Sequence, residues 1–200
     1  MLIVGINGSP RKHGNTAFLV EQALSAAAGA GAETILIHVS DALADQKHHF
    51  CNQCSSPCEG FCSRDNRLGE AYALLRRADG LLLGSPVYFG SVSAQLKAFW
   101  DKSRFLRKEK ALLNVVGAAL AVGGSRFGGQ ETTLKTLLDM MLIQGMMIVG
   151  DGHKEYDCGH QGGCGQAPVA QDQFARQRAK ILGLRLAEVA EATMSLRRRG

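Results

Sequence analysis

The first sixteen residues, MLIVGINGSPRKHGNT, restrict the fold more than any other stretch of the chain. Leu2, Ile3, Val4 and Ile6 form a short apolar run with a β-branched bias, which reads as a buried strand, and Gly8, Pro10 and Gly14 end it at once. Asn15 and Thr16 then open a helical run, Ala17-Phe18-Leu19-Val20-Glu21-Gln22-Ala23-Leu24. A strand that empties into a glycine-rich loop and re-enters a helix gathers backbone N–H groups, with the hydroxyls of Ser9 and Thr16, at a helix N-terminus. That is an anion site; the competing reading is a turn that serves only as structural punctuation.

The spacing narrows the anion. A dinucleotide fingerprint needs G-x-G-x-x-G, but the glycines here are Gly5, Gly8 and Gly14. A P-loop needs G-x4-G-K-[ST], whereas five residues separate Gly8 from Gly14 and Asn15 stands where the phosphate-gripping lysine belongs. A loop of hydroxyls and amides without that lysine, and with no obvious magnesium ligand, suits a small terminal phosphate such as that of FMN.

Beyond this loop the chain alternates apolar strands with helical patterns. Strands are expected at 33–39, 81–83, 112–122 and 146–149, and helices at 70–77, 91–105, 130–144 and 172–196. With the first strand this makes an α/β chain with a doubly wound, five-stranded parallel sheet and helices on both faces. Its ligand belongs at the carboxyl ends of the strands, near the switch in strand order. Three strand ends share a vocabulary: Gly8-Ser9-Pro10, Gly84-Ser85-Pro86 and Gly123-Gly124-Ser125. They converge on one crevice. The second loop continues Val87-Tyr88-Phe89-Gly90-Ser91, a planar aromatic pair suited to a flat ring, or else a cap on the core. The third places Arg126 beside the site, where a cation favours a reduced, anionic flavin or pairs with a surface acid.

Two hundred residues are enough for one domain spanning 1–200, which buries roughly 70% of the unfolded chain's surface. The 46% hydrophobic and 20% charged content is that of a soluble globular protein, and no apolar run reaches the ~18 residues of a membrane span. The start lacks the pattern of a signal peptide, so a cytoplasmic location with no membrane partner is expected. The net charge of +5 is scattered except for Arg197-Arg198-Arg199, and few aromatic residues interleave with it, which argues against nucleic acid. The arginine tail reads as a solvated helix end at the negative pole of the macrodipole.

The loops GSPRKHGNT, GSPVYFGSVSAQLKAFWD and GGSRFGGQETTL resemble those of the NADPH-dependent FMN reductase family of flavodoxin-like proteins, and in particular its iron–sulfur flavoprotein branch. The resemblance runs from Met1 to about Gly150. It implies that Ser9, Arg11, Asn15 and Thr16 hold the FMN phosphate. Pro86, Val87, Tyr88, Phe89 and Gly90 would line the isoalloxazine ring, and Gly123, Gly124, Ser125 and Arg126 would close its other side. It further implies two-electron flavin chemistry, NAD(P)H as a possible donor, and a homodimer or homotetramer with the flavin near a subunit interface. No acid, base or nucleophile stands out as catalytic, which fits chemistry carried by a cofactor.

Between the second strand and the next helix, residues 40–68 form no clear element, and a loop that long in a compact domain is usually functional or disordered. It holds Cys51, Cys54, Cys58 and Cys62 in the spacing C-x2-C-x3-C-x3-C. Without a secretion signal a disulfide framework explains them poorly. Four close thiolates can ligate one metal centre. The run is one residue longer, between Cys54 and Cys58, than the known short [4Fe–4S] spacing C-x2-C-x2-C-x3-C. Tetrahedral zinc and unligated thiols are the alternatives. Iron–sulfur flavoproteins carry a compact cysteine motif in this position, and a cluster beside a flavin would step two-electron chemistry down to single electrons.

The stretch 150–167, GDGHKEYDCGHQGGCGQA, reads as a lid or interface loop; His153, Cys158, His160 and Cys164 suggest a second metal site less well, since no paired spacing is evident. His48 and His49 read as surface residues or donors behind the cysteines. Two functions follow, with a non-enzymatic flavin-binding sensor that uses the thiols for redox sensing as a third reading. One is an electron-transfer iron–sulfur flavoprotein working with ferredoxin or a small-molecule acceptor. The other is a cluster-free NAD(P)H-dependent FMN or quinone reductase whose cysteine loop binds zinc or nothing.

Overall fold

The computed structural model describes residues 1–197. Six strands, β1 (Leu2–Asn7), β2 (Glu33–His38), β3 (Gly80–Pro86), β4 (Val116–Gly123), β5 (Met147–Ile148) and β6 (Gly163–Gln166), form one sheet in the order β2-β1-β3-β4-β5, with β6 also on β4. Every pairing is parallel. The central strands β1 and β4 are buried along their whole length, as near-continuous apolar runs in a doubly covered sheet must be. The order of strands switches at β1, which lies between β2 and β3.

Helices α1 (Asn15–Gly29) and α7 (Gln173–Ala192) cover one face, where Leu19, Val20 and Ala23 pack with Ala179, Leu182 and Leu186. The other face carries α3 (Arg67–Arg77), α4 (Ala94–Lys102) and α6 (Gln130–Leu142), packing through Leu68, Tyr72, Phe99, Leu134 and Met141. Two short helices, α2 (Val39–Ala42) and α5 (Arg104–Lys108), complete the set among the described residues.

The expected architecture is present, with the fifth sheet position built differently. Two short strands in tandem share it. β5 pairs with Val116 and Gly117 at the lower end of β4, residues 149–162 leave the sheet, and β6 returns to pair with Leu120 to Gly123. That excursion is anchored. Arg178 of α7 reaches into it with Nε on Asp151, Nη2 on the Asp151 carbonyl at 2.8 Å, and Nη1 on Asp157 at 3.0 Å, while Asp151 is fully buried. The reading of 150–167 as a lid is therefore corrected.

Other boundaries move for local reasons. The helix expected at 91–105 breaks at Ser103, whose hydroxyl donates to the Trp100 carbonyl at 2.6 Å and accepts from Gln144 Nε2 at 3.0 Å. The fourth strand begins at Val116 rather than 112, because Lys110 and Asn114 adopt left-handed backbone (φ 57° and 64°) and turn the chain. Arg197 is not a solvated helix end: its side chain is 3% exposed and bonds Asp79, whose other carboxylate oxygen accepts the Leu2 N–H at 2.8 Å. Arg198 and Arg199 lie outside the described residues. No helix among the described residues is long and apolar enough to cross a membrane.

Candidate functional site

The anion loop starts from a buried polar residue inside an apolar strand. Asn7, fully buried at the end of β1, accepts the Ser9 N–H through Oδ1 at 3.1 Å, while its Nδ2 reaches the Arg11 carbonyl at 3.3 Å and His38 Nδ1 at 3.0 Å. Ser9 Oγ in turn accepts the Arg11 N–H at 3.1 Å. These bonds curl residues 8–14 over the strand end. Gly8 donates to the Gly84 carbonyl at 2.8 Å, and a Cβ at Gly8 would meet that same oxygen at 2.8 Å, so the loop lies too close to β3 for a side chain.

The chain enters α1 through Gly14, with no side chain capping the first turn. The N–H groups at a helix start need partners, and a terminus without a side-chain cap leaves them for an anion. Thr16 is buried there and Arg11 is exposed at the loop's rim. Asn15 Oδ1 accepts the Val169 N–H at 3.0 Å, tying the approach to α7 onto this loop.

The β3 loop is locked to the first by two serines. Ser93, the N-cap of α4, accepts from Leu96 N–H and donates to the Gly8 carbonyl at 2.5 Å; Ser85 Oγ accepts the Ser93 N–H at 3.1 Å and donates to the Pro86 carbonyl at 2.8 Å. Val87 N–H bonds the Val122 carbonyl of β4 at 2.8 Å, and Tyr88 and Ser91 close a small bridge. At its tip Phe89 has φ 52° and its side chain is fully exposed, with Gly90 following at φ 74°. A bulky residue in left-handed backbone, standing clear of the protein, is the kind of local strain found at ligand contacts. Tyr88 and Phe89 therefore do not cap the core.

The β4 loop is shaped by Gln130, which the sequence reading did not single out. It is 4% exposed; its Oε1 accepts Gly128 N–H at 2.9 Å and its Nε2 donates to the carbonyls of Ser125 at 2.6 Å and Gly165 at 3.3 Å. A Cβ on Gly123 would sit 2.6 Å from that amide, whereas one on Gly124 would meet nothing within 4 Å. The loop is thus packed below and open above. Gly129, at φ 95°, brings it against Gly90, where a Cβ would come within 3.0 Å of the Gly90 Cα. All three loops meet at one edge, as expected. Arg126 stands at the mouth of this loop, 5.9 Å over the ring of exposed Phe127.

The cysteine loop is not structureless. Gly60, at φ 67°, packs on the Phe105 ring, and a single 3-10 turn follows at Phe61–Ser63. Glu59 pairs with Lys108 at 2.9 Å, Asp45 accepts the Arg67 N–H at 3.1 Å, and Asn66 both caps α3 and donates to the Cys62 carbonyl at 3.0 Å. Cys58 and Cys62 pack on the edge of the core, Cys51 is half-buried and Cys54 exposed, all as free thiols. Burial pushes the Cys62 thiol up, Lys102 pulls it down, and Cys58 and Cys54 push it up again; Cys62, Cys51 and Cys58 all act on buried Tyr72. The four share one neighbourhood, though among the described residues no three His, Cys, Asp or Glu side chains form a group set to hold a metal.

The residues 153, 158 and 160 lie on the anchored excursion, and Cys164 lies apart from them on β6. It lines an open cavity of about 830 Å³ with Arg126, Gln130, Gln166 and Phe174, and burial, with Glu131 and Asp151 adding, pushes its thiol up to about 11. Here too no group set to hold a metal forms among the described residues.

The family model of NADPH-dependent FMN reductase matches residues 1–160. The chain belongs to that family. It is a flavin-dependent oxidoreductase. An iron–sulfur flavoprotein of Methanocaldococcus jannaschii is 44% identical over 96% of this chain and 98% of its own. An iron–sulfur flavoprotein of Methanosarcina thermophila is 40% identical over 96% of each chain. The fold is that of a flavodoxin, WrbA-like protein from Agrobacterium tumefaciens, with a TM-score of 0.70 at 21% identity over 96% of this chain and 98% of that one. The flavodoxin-like fold is thus shown.

Proposed function

We propose that the chain is an iron–sulfur flavoprotein that holds FMN on the three converging loops and a [4Fe–4S] cluster on Cys51, Cys54, Cys58 and Cys62. The observation that carries this reading is helix α4. Its start, Ser93, is bonded into both the anion loop and the β3 loop, and its end, Lys102, bonds Gln46 at the root of the cysteine loop. Nine residues at 1.5 Å each make the strut roughly 13 Å long. One rigid element therefore sets the spacing of the two sites.

The residues suit both groups. Ser9, Arg11, Asn15, Thr16 and the open first turn of α1 form an anion cradle without a carboxylate; Pro86 to Gly90 and Gly123 to Arg126 leave a gap for a flat ring, edged by Tyr88 and Phe89. Burial, with the neighbouring Cys58 and Cys54 adding, opposes ionisation of the Cys62 thiol, and a bound cation offsets that opposition. When bound, FMN takes up electrons in pairs and a cluster passes them singly. The chain's own work is to orient the ring between the loops, exclude water beneath it, and hold the spacing along α4.

The partner in this reading is a ferredoxin-like redox protein or a small acceptor. The exposed Tyr88, Phe89 and Phe127 at the flavin edge are covered by a second copy in a homodimer or homotetramer. The test is rapid mixing of the anaerobically loaded protein with reduced ferredoxin or with NADPH. Fast bleaching of the flavin by ferredoxin and slow bleaching by NADPH is expected. The reverse order favours the cluster-free NAD(P)H-dependent FMN or quinone reductase, with zinc or free thiols in the loop.

A further inference from the structure

His38 ends β2 and stands opposite Asn7 in the parallel register of β1 and β2, at the root of the anion loop. The bonds of Asn7 fix how both side chains are used. Its Oδ1 accepts the Ser9 N–H at 3.1 Å, so its Nδ2 faces the Arg11 carbonyl at 3.3 Å and His38 Nδ1 at 3.0 Å. Turning the amide over would set its NH2 against the Ser9 N–H and its oxygen against the Arg11 carbonyl, in a fully buried residue where unmatched groups are costly. An amide nitrogen donates and does not accept, so His38 Nδ1 offers a lone pair and the ring hydrogen sits on Nε2. The neutral imidazole fits this contact. The imidazolium, with hydrogen on both nitrogens, does not. Nor is it compensated elsewhere: Asp41 of α2 is taken by Lys12 of the anion loop, and Arg11 on the same loop is a further cation. Helices α1, α3 and α4, packed on β2 or α2, set no charged side chain within ion-pair or hydrogen-bond distance of the ring among the described residues.

We propose that His38 is a positioning residue for the flavin phosphate: as a neutral imidazole it holds the Asn7 amide in the orientation that shapes the anion loop, and on taking up a proton it releases that amide and weakens FMN binding. The inference rests on the reading of this loop as the site of the FMN phosphate. Charge alone predicts the opposite sign, since an imidazolium near a phosphate attracts it. The hydrogen-bond geometry sets two N–H groups against each other instead, and the loop that depends on Asn7 loses its fixed shape. The coupling is reciprocal: FMN, by holding the loop closed, makes His38 take up its proton at lower pH.

The test is FMN affinity of the full chain, made flavin-free and followed by flavin fluorescence, from pH 8 to pH 5, where imidazoles gain a proton. Wild type, H38N and H38A are compared. Asparagine sets an oxygen close to where the imidazole carries Nδ1 and does not titrate, and proton uptake by the phosphate itself is common to all three chains. H38N is expected to match wild type at pH 8 and to bind FMN about tenfold more tightly than wild type at pH 5, while H38A is weaker than wild type at pH 8. A wild type that matches H38N at every pH, or exceeds it in acid, overturns the inference, as does an H38A chain equal to wild type at pH 8. Should H38N fail to fold, the nitrogen resonances of His38 in histidine-labelled wild type decide. Hydrogen on Nε2, with proton uptake displaced to lower pH by FMN, supports the inference; hydrogen on Nδ1, or no displacement, overturns it. A wild-type chain that binds FMN at no pH overturns the reading on which the inference rests, and the inference with it.

Discussion

Asn7 and Phe89 show how much of the site turns on single side chains. Asn7 is an amide in a row of aliphatic residues, and its three bonds fix the first turn of the anion loop. N7A leaves the buried Ser9 N–H without its acceptor, so a loss of about 2 kcal/mol in urea unfolding and weaker FMN binding are expected. Phe89 is the opposite case. It is fully exposed, so F89A leaves the unfolding free energy within about 0.5 kcal/mol of wild type while lowering FMN affinity several-fold, measured by flavin fluorescence. Cys164 gives a pH signature. Its thiol is raised from 9.0 to about 11, so below pH 9 both folded and unfolded chains hold the proton. Between about 9 and 11 the unfolded chain loses it first, and stability falls as pH rises. C164A should show a shallower decline in melting temperature over that window. Asn7 was hard to read from sequence because one polar residue at a strand end looks like the start of a loop; Gln130, placed after a glycine run, looks like an ordinary first helical residue.

At the scale of elements, the strands and long helices were legible because their apolar periodicity matches their burial. The three loops were legible for the same reason, since strand ends in a parallel sheet share one edge. The tandem β5 and β6 were not. β6 reads Gly-Cys-Gly-Gln, a composition that says loop, and only the closeness of its glycines to β4 makes it a strand: a Cβ on Gly163 would come within 2.3 Å of Leu120. The cysteine loop was legible as chemistry but not as structure, because its anchors Glu59 and Gln46 find partners distant in sequence, Lys108 and Lys102. Asn66 joins the two properties. N66A removes the cap of α3, worth ~1 kcal/mol, and also frees the Cys62 carbonyl. A lower melting temperature together with poorer cobalt uptake is expected, whereas a cap with no bearing on the loop would change melting alone.

For the whole molecule, the sheet edge and the cysteine loop are two ends of one rigid body. β1, β3 and β4 bring the three strand-end loops together, α4 runs from those loops to Gln46 at the root of the cysteine loop, and Arg178 fixes the excursion that precedes β6. R178M strands the buried Asp151 carboxylate, at a cost of roughly 3 kcal/mol. For a chain of this length that is about 6 to 12 °C in melting temperature, with faster proteolysis in 149–162. In the proposed function the two sites are filled together, by FMN and by iron and sulfide. The measurement that tests it most directly is the content of FMN, iron, acid-labile sulfide and zinc per chain, on protein purified without oxygen, beside its visible spectrum. One FMN with about four iron and four sulfide is expected; FMN without iron or sulfide, after attempted reconstitution of the cluster, overturns the proposed function.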